Sequence, residues 1–466
     1  MHISTVPARL ASNLYYSLWP RLRPGGYVGR LMLAVRERVG CEWDNSEQLW
    51  SRQREKLNAL LAHATSNVPY YRQLARVQKM PFSIEQPEDL TAIPILTKDI
   101  IRREGDALIA DNFPREQLRR NATGGSTGRP VHFWSDEPAL LRSNAGESWA
   151  LTLAGLHSKS PLAYFWGGAR FERSTTKDIK DRIEQAITNR MFFNCFHMKD
   201  VDLYRTHRRI TRFRPDAIVG YSSALVELAS FLQKRGLKPA YPRKAIISAA
   251  ETLDVYSRQK LQNAFGVPIF DRYGSREMGL IAMECDHHQG LHIDCENVFV
   301  ELVDNSDTPG MQAIVVTKLN QLGMPFIRYN IEDLAEGPFS FCSCGRGYPV
   351  LRKIVGRVTE TIRRPDGTSL PGEIFPHLFK DCGIATYQVT QESDYSLGVA
   401  LVKTADQTAQ QDEKLRRVIN EHLGPSVPVS FRYVDHIDRS ATGKLLPVIS
   451  RAPATPIDKA GGANHA

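Results

Sequence analysis

The chain has 466 residues, 42% of them apolar and 24% charged, with 32 glycines and 27 prolines, which excludes collagen-like, coiled-coil and wholly disordered proteins. At about 150 residues per domain, that length allows roughly three domains and a large core. Sixty Lys and Arg against 51 Asp and Glu leave a net charge of +9; this suits an anionic small substrate or nucleotide and is too diffuse for nucleic-acid binding.

The first residues mix Leu, Tyr and Trp with Arg, without an apolar core followed by a small-residue cleavage site, so no signal peptide is expected. The apolar run Leu31 to Val35 is flanked by Arg30 and Arg36, far short of the ~20 residues a membrane span needs. Weak peripheral membrane contact through the Leu, Tyr, Trp and Arg mix of the first residues is the most the sequence allows. Seven unevenly spaced cysteines argue against a secreted disulfide scaffold, and the expected location is cytoplasmic.

Residues 40–80 read as helical, with Leu49, Leu57, Leu60 and Leu61 at three- and four-residue spacings and a stop at Pro69. The basic stretch Arg205 to Arg214 reads as a solvated helix face ending at Pro215. Ala217-Ile218-Val219-Gly220, Ala245-Ile246-Ile247 and Val267-Pro268-Ile269-Phe270 read as strands alternating with helices, the pattern of a largely parallel α/β architecture. Val298 to Val303 and Ala313 to Val316 then give a β-rich texture around a Pro309-Gly310 turn. Beyond Gly356 come a hairpin around Pro365-Asp366-Gly367, an alternating strand from Tyr395 to Val402 and a charged helix near Gln411 to Leu423.

The expected fold class is therefore α/β: a large multi-layer N-terminal domain over 1–355 with a β-rich subdomain, its first 110 or so residues helical. A small mobile α+β C-terminal domain follows over 356–451, then an Ala/Pro/Gly-rich tail over 452–466 without structure.

Thr123-Gly124-Gly125-Ser126-Thr127-Gly128-Arg129-Pro130 is the most informative octapeptide. Its glycines let the backbone approach an anion, and its hydroxyls and N–H groups donate to it. It lacks the Lys of a P-loop and the strand-to-helix setting of a Rossmann turn. Gly124-Gly125-Ser126-Thr127-Gly128 contains G-x-S-x-G, but a nucleophile elbow needs an apolar strand before Ser126 and a helix after it. Polar Arg119, Arg120 and Asn121 precede it and a strand-like Val131 to Trp134 follows, so a hairpin fits better than a hydrolase; a plain turn is the other alternative.

The octapeptide resembles the glycine/hydroxyl loop of the adenylate-forming ligases, and the rest of that family's signature follows in order. Asp271-Arg272-Tyr273-Gly274-Ser275-Arg276-Glu277 is similar to a Tyr-Gly-x-Thr-Glu segment, and Tyr329-Asn330-Ile331-Glu332-Asp333 to Tyr-Arg-Thr-Gly-Asp. Gly356-Arg357 opens a hinge, and Ser440 to Lys444 matches a terminal lysine loop. The Asn67 to Arg72 segment and the Cys342-Ser343-Cys344-Gly345-Arg346 run point to the phenylacetate–CoA ligase-like, CapK-type branch.

The resemblance implies ATP-dependent activation of a carboxylic acid as acyl-AMP, then transfer to coenzyme A or to an amine or hydroxyl, as in polysaccharide synthesis. Thr123, Ser126 and Thr127 would hold phosphates while Gly124, Gly125 and Gly128 permit close approach. Glu277 would help bind Mg²⁺, Tyr273 would stack on adenine beside Asp271, Gly274 and Ser275, and Ala250 and Glu251 would run along the adenine edge. Asp333 would accept from the ribose with Arg357 assisting, and Lys444 would neutralise charge between the carboxylate and the α-phosphate. The catalytic set is thus Lys444, Glu277 and Thr123, with an acid pocket around Trp166-Gly167-Gly168, Tyr221-Ser222 and Ala249. Arg276 and Asn330 depart from the family's Thr and Arg, which keeps a non-catalytic nucleotide-binding scaffold open. Oligomeric state, monomer or homodimer, is left open.

Cys342 and Cys344, with Cys285 and one histidine of the following stretch (His287, His288 or His292), could hold a structural zinc; reduced loop cysteines are the alternative. The resembled branch favours His292 over His287.

Overall fold

The computed structural model describes residues 22–78, 83–123, 131–166, 187–195, 200–304, 311–357, 384–403, 427–438 and 445–452, shorter stretches at 361–363, 369–371 and 463–465, and single positions elsewhere. The N-terminal third is helical: α1 (Tyr27–Cys41), α2 (Ser46–Asn67), α3 (Pro69–Gln78) and α4 (Lys98–Glu104). Asn45 starts α2 with a capping box, its side chain accepting the Gln48 N–H while Gln48 reaches back to the Asn45 N–H. Pro69 ends α2 as expected, yet also opens α3, because its missing N–H costs nothing in a first helical turn.

Strands β1 (Arg119–Ala122) and β2 (His132–Ser135) form an antiparallel pair, followed by α5 (Glu137–Leu153). Then β3 (Leu162–Trp166), β4 (Arg190–Asn194), α6 (Asp200–Phe213), β5 (Ala217–Tyr221), α7 (Ser222–Lys234), β6 (Ala245–Ala249), α8 (Val255–Phe265) and β7 (Ile269–Ser275) alternate. β8 (Gly279–Glu284) and β9 (Leu291–Ile293) follow; β10 (Val298–Asp304), β11 (Met311–Lys318) and β12 (Tyr329–Glu336) make the β-rich layer, with β13 (Val350–Leu351) and β14 (Ile354–Arg357) after them.

One eight-stranded sheet runs β13-β9-β8-β7-β6-β5-β3-β4, parallel from β4 to β7 and antiparallel beyond. β5 and β6 are buried at every residue, as expected of parallel strands covered on both faces. Alternation divides them between two cores: Ala217, Val219 and Ile247 pack on the side of α5 and the β10–β12 layer, while Ile218 and Ile246 pack against α7.

The C-terminal residues form β15 (Thr361–Arg363) paired with β16 (Ser369–Pro371), and a sheet of β17 (Ile384–Gln391), β18 (Leu397–Lys403), β19 (Val429–Tyr433) and β20 (Val448–Ser450) in the order β19-β18-β17-β20. Phe375, Val389, Val399, Leu401, Leu415 and Ile419 belong to a core of its own. The tail departs from expectation: β21 (Ala463–His465) pairs antiparallel with Glu301 to Val303 of β10. An edge strand offers unpaired N–H and C=O groups, and this short segment takes them up. No helix among the described residues is long and apolar enough to cross a membrane.

Candidate functional site

In an open α/β sheet, a ligand finds free backbone groups and loops at the carboxyl ends of the parallel strands. Three of the expected segments end there. β5 leads into Tyr221 and α7, β6 into Ala250 and Glu251, and β7 into Tyr273, Gly274 and Ser275. Gly274 cannot carry a side chain: a Cβ would lie 2.4 Å from the Gly279 carbonyl oxygen. Ser275 spends its hydroxyl locally, accepting the Met278 N–H at 3.2 Å. Asp271 donates its backbone N–H to Glu284 at 2.9 Å. Trp166 and Tyr221, expected to line the acid pocket, have ring centroids 4.8 Å apart; Gly167 and Gly168 lie outside the described residues.

Thr123 sits at the mouth of the glycine loop. Its N–H donates to the Val131 carbonyl at 2.9 Å and its Oγ1 accepts the Val131 N–H at 3.0 Å, closing the β1–β2 hairpin at its loop end. Two antiparallel strands flank the loop, so the strand-then-helix setting of a hydrolase nucleophile is missing. Gly124, Gly125, Ser126, Thr127 and Gly128 themselves lie outside the described residues, as does Lys444. Arg276, the first departure from the resembled motif, donates to the Ala122 carbonyl at 3.3 Å and so ties the β7 loop to the hairpin.

Glu277 and Asp333 come together through tyrosines. The Tyr329 hydroxyl donates to Glu277 Oε1 at 3.2 Å, and the Tyr273 hydroxyl donates to Asp333 Oδ2 at 2.7 Å. Lys318, fully buried on β11, donates to the Glu277 carbonyl at 2.7 Å. Burial pushes its ammonium down to about 8, against the opposing pull of Asp136 and Glu277. Asp333 pairs across the sheet with Arg357, whose side chain lies outside the described residues. Asn330, the second departure, accepts the Glu332 N–H at 2.8 Å, and Glu332 adopts φ of 69° and pairs with Lys98.

A second cluster lies at the other end of the sheet. The ligand atoms of Cys285, His292, Cys342 and Cys344 all fall within 4.8 Å of one another. Cys285 Sγ and Cys342 Sγ are 3.7 Å apart, and Cys344 Sγ is 3.4 Å from His292 Nε2. Zinc–sulfur and zinc–nitrogen bonds of 2.0–2.3 Å in a tetrahedron set such pairs about 3.6–3.8 Å apart, so the donors fit. His292 Nδ1 meets the Tyr348 carbonyl at 3.2 Å, which fixes the ring and turns Nε2 inward. Burial pushes this imidazole down to about 4, with the Tyr348 carbonyl opposing, so it stays neutral and able to ligate. Burial also raises the Cys285 thiol to about 12; only a cation in the cluster would make its thiolate stable. His287 faces Ser343 Oγ at 2.8 Å, and His288 pairs with Glu284.

Sequence reading missed the neighbours that hold these groups. Lys318 reads as an ordinary strand residue, and nothing local marks it as buried. Leu445 carries no local signal either, although its N–H donates to Glu251 Oε1 at 2.9 Å and it directly follows Lys444. Ser223, which gives both its N–H and its hydroxyl to Glu251, carries the only sequence signal, a hydroxyl residue where strand meets helix.

A family model described as the CapK C-terminal domain matches residues 362–451. Phenylacetate-coenzyme A ligase of Thermus thermophilus is 24% identical over 447 residues, covering 86% of this chain and 96% of that one. Protein CapK of Staphylococcus aureus is 21% identical over 289 residues, and the match spans 62% of this chain and 63% of CapK. Among solved structures, 2-hydroxyisobutyryl-CoA ligase in its postadenylation state superposes with a TM-score of 0.70 at 16% identity, covering 88% of this chain and 91% of that one. In fold, ordered motifs and relatives alike, the chain is similar to the adenylate-forming ligases, and the relatives place that likeness in the phenylacetate–CoA ligase and CapK branch.

Proposed function

We propose that the protein is an ATP-dependent ligase that activates a carboxylic acid as acyl-AMP and then transfers the acyl group to coenzyme A. One carboxylate oxygen attacks the α-phosphorus of ATP, the bond to the β-phosphate oxygen breaks, and pyrophosphate leaves. A thiol then attacks the acyl carbon and AMP departs. The observation that carries this reading is the placement of Glu251, Glu277 and Tyr273 at the ends of β6 and β7, Tyr273 bonded to Asp333 within β12, with the Thr123 hairpin tied to them through Arg276.

Phosphoryl transfer asks mostly for positioning and charge neutralisation. In this reading the 124–128 loop cradles the β- and γ-phosphates, Asp333 accepts from the ribose and Tyr273 lies beside adenine. Glu277 would hold Mg²⁺, whose chemistry is to offset phosphate charge; the buried carboxylate suits a hard cation. Lys444 would stand between the carboxylate and the α-phosphate. A zinc held by Cys285, His292, Cys342 and Cys344 would be structural, because four protein ligands leave no open position. An acid of aromatic character fits the rings of Trp166 and Tyr221. A second reading, with an amine or hydroxyl acceptor as in polysaccharide synthesis, rests on the resemblance to the CapK-type branch alone.

Hydroxylamine trapping of acyl-AMP across a panel of carboxylic acids tests the first half-reaction without regard to acceptor. ATP-dependent hydroxamate that collapses in Lys444→Ala is the expected result. Silence across the panel with ATP still bound would leave a nucleotide-binding scaffold instead.

A further inference from the structure

Three donors converge on one carboxylate. β6 ends at Ala249, and Ala250 then turns the chain with φ of 67°, a left-handed value that residues with a Cβ seldom adopt. The turn delivers Glu251 to the N-terminal end of α7. There its Oε2 accepts the Ser223 N–H at 2.8 Å and its Oε1 accepts the Ser223 hydroxyl at 3.1 Å. α7 has no acidic residue in its first turn, and Tyr221 makes no side-chain cap. Glu251 therefore caps the helix from a neighbouring strand end. Capping alone does not account for the third donor, the Leu445 N–H at 2.9 Å, 194 residues further along the chain.

Resting on the ligase reading above, we propose that Glu251 is a positioning residue that holds the Lys444 loop against the nucleotide site during adenylation. Leu445 is bonded to Lys444, so fixing the Leu445 N–H limits the lysine to the reach of its own side chain. The carboxylate is in turn fixed by α7, so the Leu445 N–H is referenced to the strand end that carries Glu251. No base or phosphate contact is required of Glu251. The left-handed turn at Ala250 is part of the device, since it aims the following side chain across to both partners.

A hydrogen bond to a charged acceptor corresponds to roughly 10- to 100-fold in an equilibrium. Glu251→Ala is expected to slow hydroxamate formation by a factor in that range. The decisive measurement is a double-mutant cycle in the full chain with Lys444→Ala. If Glu251 works through the lysine, the double variant is no slower than Lys444→Ala alone, within about twofold. A double variant slowed by a further factor equal to that of Glu251→Ala would overturn the proposal, because Glu251 would then act as a cap or nucleotide contact independently of Lys444. Lys444→Ala with undiminished hydroxamate formation would leave the ligase reading standing and remove this proposal, whereas no hydroxamate in the wild type would remove the ligase reading itself. Amide hydrogen exchange at Leu445 gives a readout without turnover: faster exchange in Glu251→Ala is expected, and unchanged protection refutes the latch. Should Glu251→Ala fail to fold, Glu251→Gln, which keeps one acceptor oxygen and the side-chain size, carries the same cycle and exchange measurement.

Discussion

Asp333 offers the sharpest test of where the nucleotide sits. It is buried on β12, and its Oδ2 is held at 2.7 Å by the Tyr273 hydroxyl. In the proposed role the carboxylate accepts from the ribose hydroxyls, and hydrogen bonds to a charged acceptor contribute about 1.5–3 kcal/mol each. Two such bonds make about 3–6 kcal/mol, or roughly 10²- to 10⁴-fold in kcat/KM for ATP. Asp333→Ala should therefore lose that factor in hydroxylamine-trapped adenylation. The same loss should appear from the other side when wild-type protein is given 2′,3′-dideoxy-ATP. The two perturbations remove one interaction, so together they should cost little more than either alone. Asp333→Ala that still discriminates ATP from the dideoxy analogue as strongly as wild type would refute the assignment, whatever its absolute rate. Tyr273→Phe separates geometry from charge: it leaves the carboxylate but frees its orientation, with an expected loss of about 1 kcal/mol, roughly fivefold.

Two further predictions concern the frame around the site. Protein purified without chelator should carry about one zinc per chain by elemental analysis, and Cys344→Ser should lose it together with stability of the large unit, since structural zinc binding contributes to folding directly; metal-free wild type of unchanged stability would count against the site. Lys318 titrates near 8 when folded and near 10.5 when unfolded, so between those values the unfolded chain binds the extra proton and stability rises with pH, by on the order of 3 kcal/mol across the window. Urea unfolding of Lys318→Met should lack that rise, and an identical pH slope in the variant would show that the buried ammonium is not its source.

Much of the parallel sheet is legible because its strands are continuous apolar runs. Ala217 to Tyr221 and Ala245 to Ala249 are buried throughout, and each is followed by polar turn or helix residues. The reversal at β8 is less visible. Between Ser275 and Gly279 only three residues intervene, too few for the crossover a parallel partner requires. Read as a motif, those residues gave Arg276 and Glu277; read as a connection, they also oblige β8 to return antiparallel and carry Cys285 and His292 toward Cys342 and Cys344. Local spelling suffices for the donors, whereas their meeting depends on the chain path.

Two of the three departures in the Tyr329 to Asp333 segment, Asn330 and Glu332, show the same limit from the other side. In sequence, Asn330 looks like a lost arginine, and Glu332 stands where the resembled motif has glycine. Glu332 takes φ of 69°, a conformation costing a residue with a side chain about 1–2 kcal/mol. Its N–H is accepted by the Asn330 side chain and its carboxylate is paired with Lys98, 234 residues earlier. The two substitutions thus belong to one local arrangement: the asparagine stabilises the turn that the missing glycine would have made freely, and a distant lysine fixes the new carboxylate. Asp333 follows directly and keeps its bond to Tyr273. A motif scored position by position counts three losses here, Ile331 among them; counted by what reaches Asp333, the turn that presents the carboxylate is retained.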